Sequence, residues 1–317
     1  ISFNNGAFSS VLIYICIAMK RFLFLLLVVL FPFRLHAQVV KSVTLNPVMV
    51  EAVSKGFSVA DFIEMVKSDT SFLRGFRNLR NSSHQVQGNM IVYGKKRNVK
   101  ATRNRTATQQ VSHGKRWISS MKETTTGDFY DRHQIPETYT AEIFDDVFFY
   151  KDTVPVVSVH TPVSTTSGND SNIEKLKKLI FNPGANIEGV PVVGKRMAIF
   201  DDDLARYYDY HITTETYQDS IPCYLFSCKA KPDAGDKAVV KTLNTWFDRR
   251  SFNIVYRDYR LQYSGFLFDF DVTMKIVMDT FNGVLYPAAI DYKGFWDVPL
   301  KRQETIDFDL RFGLLPN

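Results

Sequence analysis

The sequence predicts an α+β fold dominated by strands: a long antiparallel meander forming a curved, half-open barrel packed on short helices. Three observations predict it. The C-terminal half alternates apolar and polar residues over runs of a dozen residues or so, which is the signature of strands with one buried and one wet face. Turn dipeptides such as Asn282-Gly283 and Ser264-Gly265 separate these runs. The chain also carries 26 Phe and 15 Tyr in 317 residues, a composition suited to pleated, half-buried surfaces.

Taken in order, residues 1–18 contain no Met and no charge and read as upstream read-through. Met19-Lys20-Arg21 then supplies a basic start, Phe22 to Phe33 an apolar stretch, and Leu35-His36-Ala37 a small residue at a cleavage position. This is the order of a secretory signal peptide over 19–37, with cleavage between Ala37 and Gln38. A membrane helix over 11–33 would place Lys20 and Arg21 mid-span, at a cost of several kcal/mol. Cys16 precedes Met19, so no lipid-attachment cysteine follows the apolar stretch. The expected product is an exported protein, periplasmic, associated with the outer membrane or secreted, in which 38–317 forms a single domain. Losing Lys20, Arg21 and Arg34 leaves 36 of the 39 basic residues against 33 acids. Cys223 and Cys228, five apart in a predicted strand, point to opposite faces and cannot bridge.

Helical periodicity opens the mature chain. Ser58 and Asp61 resemble a capping box, and Val59, Phe62, Ile63 and Val66 share one face. Asp69 or Thr70 starts a second helix with Phe72, Leu73, Phe76 and Leu79 on one side. Strands are predicted at about 83–93, 98–112 and 115–125, an exposed Val/Ser/Thr/Pro-rich loop at 153–171, and helices at 172–181 and near 197–207. The meander then runs over about 205–217, 220–230, 239–247, 252–263, 266–278, 284–293 and 302–312. Phe266, Phe268, Phe270, Val272, Met274, Ile276 and Met278 share one face of the fifth of these strands. The last carries Arg302, Glu304, Ile306, Phe308, Leu310 and Phe312 on its inner side.

Helices followed by long amphipathic strands in an exported chain resemble the periplasmic lipoprotein-carrier fold, a half-open antiparallel barrel closed by helices. The stretch Tyr292-Lys293-Gly294-Phe295-Trp296-Asp297-Val298-Pro299-Leu300-Lys301-Arg302, leading to Phe308, resembles the last two strands of uncharacterised secreted envelope proteins of that type. The resemblance spans about 57–317 and implies a carrier that shelters acyl chains.

Charge is segregated. From Thr70 to Lys122 there are twelve basic residues and no acid, a one-signed field that attracts anions. A solvated face is the ordinary explanation of such a run; a nucleic-acid partner is excluded by export and by the lack of a recognition helix. In 99–111 the odd positions include Arg103 and Arg105. Turned inward, they would each need a partner and would form an anion clamp; on an edge strand they would be solvated. Phe266, Phe268, Phe270 and Met274 would line either a core or an apolar pocket. Asp201-Asp202-Asp203 reads as a helix N-terminus, since no Gly and Glu follow to complete a calcium loop. The pairs Asp269/Asp271 and Asp307/Asp309 share a wet face with Lys275 and Arg311, which points to cross-strand ion pairs. The histidines show no metal-ligand spacing, and no metal, cofactor or catalytic motif is expected.

These readings together predict an envelope binding or carrier protein for a lipid-like or apolar ligand. Arg103 and Arg105 would meet an anionic head and the Phe-rich strand a tail. The partners are an anionic lipid or lipoprotein, with association to a membrane surface. The alternatives are an outer-membrane β-barrel and an envelope hydrolase whose site is assembled from distant residues.

Overall fold

Alternation decides the architecture. In a computed structural model, which describes residues 59–156, 183–184, 193–265, 269–298 and 302–316, eleven strands form one antiparallel sheet. They are β1 (His84–Tyr93), β2 (Val99–Ser112), β3 (Lys115–Gly127), β4 (Val154–Pro155), β5 (Tyr208–Tyr217), β6 (Ile221–Ala230), β7 (Val240–Asp248), β8 (Ile254–Ser264), β9 (Asp269–Phe281), β10 (Val284–Asp297) and β11 (Glu304–Leu314). Their order is β4-β3-β2-β1-β11-β10-β9-β8-β7-β6-β5, so β1 closes against β11 while β4 and β5 end the sheet. The sheet is open. It is therefore not the closed outer-membrane barrel considered as an alternative, and its outer face carries Arg260, Asp271, Asp291 and Arg311 where a lipid-facing band would be apolar. No helix among the described residues is long and apolar enough to cross a membrane.

The expected upstream segment, signal peptide and cleavage point at Ala37 and Gln38, the Ser58 cap, most of the 153–171 loop, the helix at 172–181, and Phe266 and Phe268 lie outside the described residues. The described residues all belong to one compact unit, Leu45–Asn317.

Period-two burial holds along the long strands. On β9, Phe270, Val272, Met274, Ile276 and Met278 are buried and the residues between them are not. On β11, Glu304, Ile306, Phe308, Leu310 and Phe312 are buried; Arg302, expected inside, precedes the strand and is exposed. Register aligns these residues into rows. One row runs Arg103, Met90, Phe308, Tyr292, Met274, Tyr259, Leu243, Cys228 across eight strands. His113-Gly114 and Asn282-Gly283, with positive φ at both residues of each pair, make the tight hairpin turns whose twist matches the strands they join. Cys223 and Cys228 are both free and buried.

Three helices cover the inner face. Helix α1 (Val59–Ser68) sets Phe62 against Tyr224, Phe226 and Phe247. Helix α2 (Ser71–Arg80) follows, its Ser71 N–H bonded to the Asp69 carboxylate at 3.0 Å. It buries Phe72, Gly75 and Leu79, whereas Leu73, expected on that stripe, is exposed. A Cβ on Gly75 would strike Met278, so glycine sets how closely α2 approaches the sheet. Helix α3 (Tyr139–Phe148) has no counterpart in the sequence reading. The helix expected near 197–207 is instead two single turns, α4 (Val193–Arg196) and α5 (Asp202–Ala205), on either side of a bend. Asp201 sits at the N-cap of α5, with Asp202 and Asp203 in its first turn, in line with the N-terminal role expected of this triplet.

At one rim, among the described residues, β4 pairs with β3 only at Lys115 and Arg116. Beyond that contact, Ser119–Gly127 are exposed on both faces of the strand.

Candidate functional site

The alternation of β2 turns Arg103 and Arg105 inward, with 3% and 7% of their surface exposed. An arginine cannot be left unpaired there, and α3 supplies the partner. Asp145 accepts from Arg103 Nη1 at 2.8 Å and Nη2 at 2.6 Å, and from Arg105 Nη1 at 3.0 Å. Glu123, on β3 opposite Arg105, takes the rest of that fork. The Tyr130 hydroxyl accepts from Arg103 at 3.2 Å and from Arg105 at 2.8 Å, and donates to Glu123 at 2.8 Å. Arg103 lies over the Phe129 ring at 4.6 Å and Arg105 over Phe149 at 4.9 Å. Burial opposes the Arg103 charge, but the hydrogen bonds and charge of Asp145 outweigh it, so the guanidinium is held above its ordinary pKa. The Tyr130 hydroxyl is pushed up, chiefly by burial.

Two arginines, two carboxylates and a phenol thus form a closed network at the edge of the apolar face. Gly88 lies between Arg105 and Leu310 in the register. A Cβ on it would come within 2.7 Å of Leu310 and 3.4 Å of Phe149. The adjoining void, bounded by Arg103, Arg105, Phe144, Phe149, Phe308 and Leu310, is about 10 Å³, room for one water at most. In this state the two guanidinium groups are matched by the protein's own carboxylates.

Helix α3 is tied to the sheet at two further places. Glu304 of β11 accepts the N–H groups of Tyr139 and Thr140 at 2.8 and 3.0 Å, and also the Thr140 hydroxyl. It serves as the helix's cap from 165 residues away, placing an anion at the positive end of the helix. Below, Phe144 meets Phe308 at 4.0 Å and Tyr292 at 5.6 Å, and Phe148 meets Phe312 at 5.3 Å. The helix is therefore apolar underneath and polar along its flank.

Of the other expected site residues, Phe270 and Met274 lie on the same inner face but away from the arginines in the sheet order. Phe270 stacks on Trp296 at 4.9 Å, and Met274 Sδ accepts from the Tyr259 hydroxyl at 2.8 Å. Both are fully packed, as core. The acidic pairs on the outer face find partners other than those expected. Asp271 takes a two-pronged contact from Arg260 at 2.9 and 2.6 Å, and Arg311 pairs with Asp291 at 2.7 Å. Asp307 and Asp309 accept from Tyr93 and Asn89. Asp145, Glu123, Tyr130 and Glu304 were not singled out as site residues in the sequence.

No family model matches the chain, and no curated protein matches it. Solved structures that do match include a DUF1329 family protein from Desulfovibrio piger, 9% identical over 77% of this chain and 90% of that one, with a TM-score of 0.23. Another is a domain assigned to outer membrane lipoprotein sorting, from Vibrio parahaemolyticus, 8% identical over 78% and 95% of the two chains, TM-score 0.25. A third is lipovitellin, from a study of its lipid–protein interactions, 9% identical over 74% of this chain and 25% of that one, TM-score 0.23. At these TM-scores the architecture stands on the strand order and helix packing described above.

Proposed function

We propose that this chain is an exported binding protein of the cell envelope that carries a lipid-like amphiphile against the inner face of its open sheet, with α3 as the element that yields. The observation that supports this reading most is the two-sided attachment of α3. Its apolar side rests on Phe308, Tyr292 and Phe312, and its flank is held by Asp145 to Arg103 and Arg105. A ligand with an acyl tail replaces the first contact with one of the same kind. A ligand with an anionic head replaces Asp145 on the same two guanidinium groups. Exchange of both contacts leaves no buried charge unmatched, which keeps opening from requiring an uncompensated arginine. The face formed by Phe270, Met274 and their neighbours continues the apolar surface beyond Phe308 and Tyr292. In this reading the arginines act as the head clamp only after α3 has let go.

A long-chain fatty acid is the simplest probe, since it has one carboxylate and one tail. Asp145→Asn, which keeps the shape and removes the competing charge, is expected to bind it more tightly than the parent while lowering stability by about 1–3 kcal/mol. Arg103→Gln with Arg105→Gln is expected to weaken binding at least tenfold, from about 1.5–3 kcal/mol for each charge-assisted contact. Isothermal titration of the three proteins decides. Equal affinities across the set would remove the clamp, and no fatty-acid or co-purifying lipid binding in any of them would remove the carrier reading itself.

A further inference from the structure

Much of the acid-free basic segment is answered by the fold itself. Arg103 and Arg105 meet Asp145 and Glu123. Arg116 is buried over the Tyr150 ring at 4.1 Å. Lys100 and Arg302 share Glu137 at 3.8 and 2.7 Å. What remains concentrated is the tip of the β1–β2 hairpin, where Lys95, Lys96 and Arg97 are consecutive and exposed. Among the described residues none of the three is in an ion pair, although Arg97 approaches the Tyr93 ring at 5.8 Å.

The same end of the sheet carries exposed apolar side chains. Val99, the first residue of β2 after the hairpin, is 56% exposed, and Ile135 is 50% exposed. The two belong to neighbouring segments. The Lys100–Glu137 contact joins the start of β2 to the Asp131–Ile135 turn, which is itself closed by the bond from the Asp131 N–H to the Ile135 carbonyl at 2.9 Å. Neither side chain does the fold a service where it stands. Each leaves apolar surface in water beside a cluster of unmatched cations, a combination that marks an interfacial contact.

We propose that this rim docks the protein on an anionic lipid surface. Lys95, Lys96 and Arg97 take headgroup phosphates, and Val99 and Ile135 enter the boundary between headgroups and acyl chains. Three adjacent cations on a hairpin tip attract an anionic surface within a Debye length, and the shallow apolar pair adds affinity that salt does not screen. The docking rim lies at the end of the strands and uses none of the inner-face residues, so it stands or falls separately from the carrier reading.

The test is co-sedimentation of the full chain with vesicles of phosphatidylcholine alone and of phosphatidylcholine with phosphatidylglycerol, at low and high salt. The parent is expected to bind only the anionic vesicles, and less at high salt. K95Q/K96Q/R97Q should lower the partition coefficient about a hundredfold, ~1 kcal/mol for each cation removed. V99S/I135S should weaken binding at high salt more than at low salt in relative terms. Arg249→Gln with Arg250→Gln, at the β7–β8 turn on the opposite end of the sheet, should change little. Absence of parent binding to anionic vesicles overturns the proposal. So does retention by the triple variant, or an equal loss in the Arg249/Arg250 variant, which would reduce the effect to net charge. An unaltered V99S/I135S variant removes the apolar component. Fatty-acid titration of the triple variant should match the parent, which separates a failed rim from a failed ligand site.

Discussion

The two halves of the inner face solve the same burial problem with different chemistry. Over β8 to β11 the covering helices meet a nearly continuous apolar surface in which Val272, Met274, Ile276, Ile290 and Ile306 have no exposure at all. Over β1 to β3 the buried face is mixed: His84, Arg103, Arg105, Gln109 and Arg116 stand among Val86, Met90, Val92, Ala101 and Ala107. Gln109 reaches the Ser82 carbonyl at 2.8 Å and takes the Tyr150 hydroxyl at 2.7 Å; Arg116 reaches Gln109 at 3.3 Å. The apolar half is held by dispersion and exclusion of water, which hold at any pH and salt. The polar half is held by matched partners, most of them distant in sequence, and each match is a place where protonation or a competing ion can act. A sheet built this way is firm on one side and conditional on the other.

The sharpest way to break the comparison is to damage the apolar half. Phe270 is buried, stacked on Trp296 and beside Tyr263, so Phe270→Ala is expected to cost about 3–5 kcal/mol once the cavity is counted. An unchanged urea midpoint would show that this face is not core. The next effect belongs to the polar half. His84 is 3% exposed and its ring nitrogen bonds the Ser82 carbonyl at 3.0 Å. Burial, helped by the charge of Arg116, lowers its pKa from 6.5 to about 4. The unfolded chain therefore takes up a proton in a range where the folded one does not. Stability is full above pH 6.5 and falls as the pH drops toward about 4, by about 3 kcal/mol in total from this residue. Urea titrations at several pH values should show that slope in the parent and a shallower one in His84→Gln; identical slopes would assign the acid sensitivity elsewhere. The smallest effect is expected on the outer face, where Arg260 and Asp271 pair in view of solvent with side chains 47% and 34% exposed. Arg260→Ala with Asp271→Ala, measured as a double-mutant cycle, should give a coupling of about 0.2–1 kcal/mol that shrinks with salt.

The apolar half was legible because alternation is a local property. Phe270, Met274, Phe308 and Leu310 announce their common face within one strand. The inward turn of Arg103 and Arg105 was legible as one of two options, since the same alternation places them but cannot say which strand lies at the edge. Their partners were not legible. Asp145 is 42 residues from Arg103 and sits on α3, a helix whose N-terminus is capped by Glu304 rather than by a residue beside it. Thr138 stands at the N-cap without a side-chain cap bond, and Tyr, Thr, Ile and Phe, which are weak helix formers, make up half of Tyr139–Phe148, so the helical pattern is faint. The spacing of Ala141, Phe144 and Phe148 was the trace available. Leu73 shows the opposite failure: periodicity placed it inside, and the close seat of Gly75 against Met278 rotates the helix so that Leu73 faces water.

The open rim of β3 bears on how this chain keeps to itself. Among the described residues its backbone beyond Arg116 has β2 on one side, while on the other β4 reaches only as far as Val154 and Pro155. Ser119–Gly127, rich in Ser and Thr, is a stretch of high strand propensity with both faces in solvent, and a main chain so placed is a template for any extended polypeptide. Lys122 and Glu123 interrupt its neutral run, and Pro155, which has no N–H to give, closes the strand beside it. Lys122 and Pro155 act as gatekeepers against self-association: exchanging them for Thr or Val would leave the fold's interior untouched while inviting two molecules to join rim to rim, whereas Glu123 also holds Arg105 and Tyr130, so its loss would unmatch a buried guanidinium.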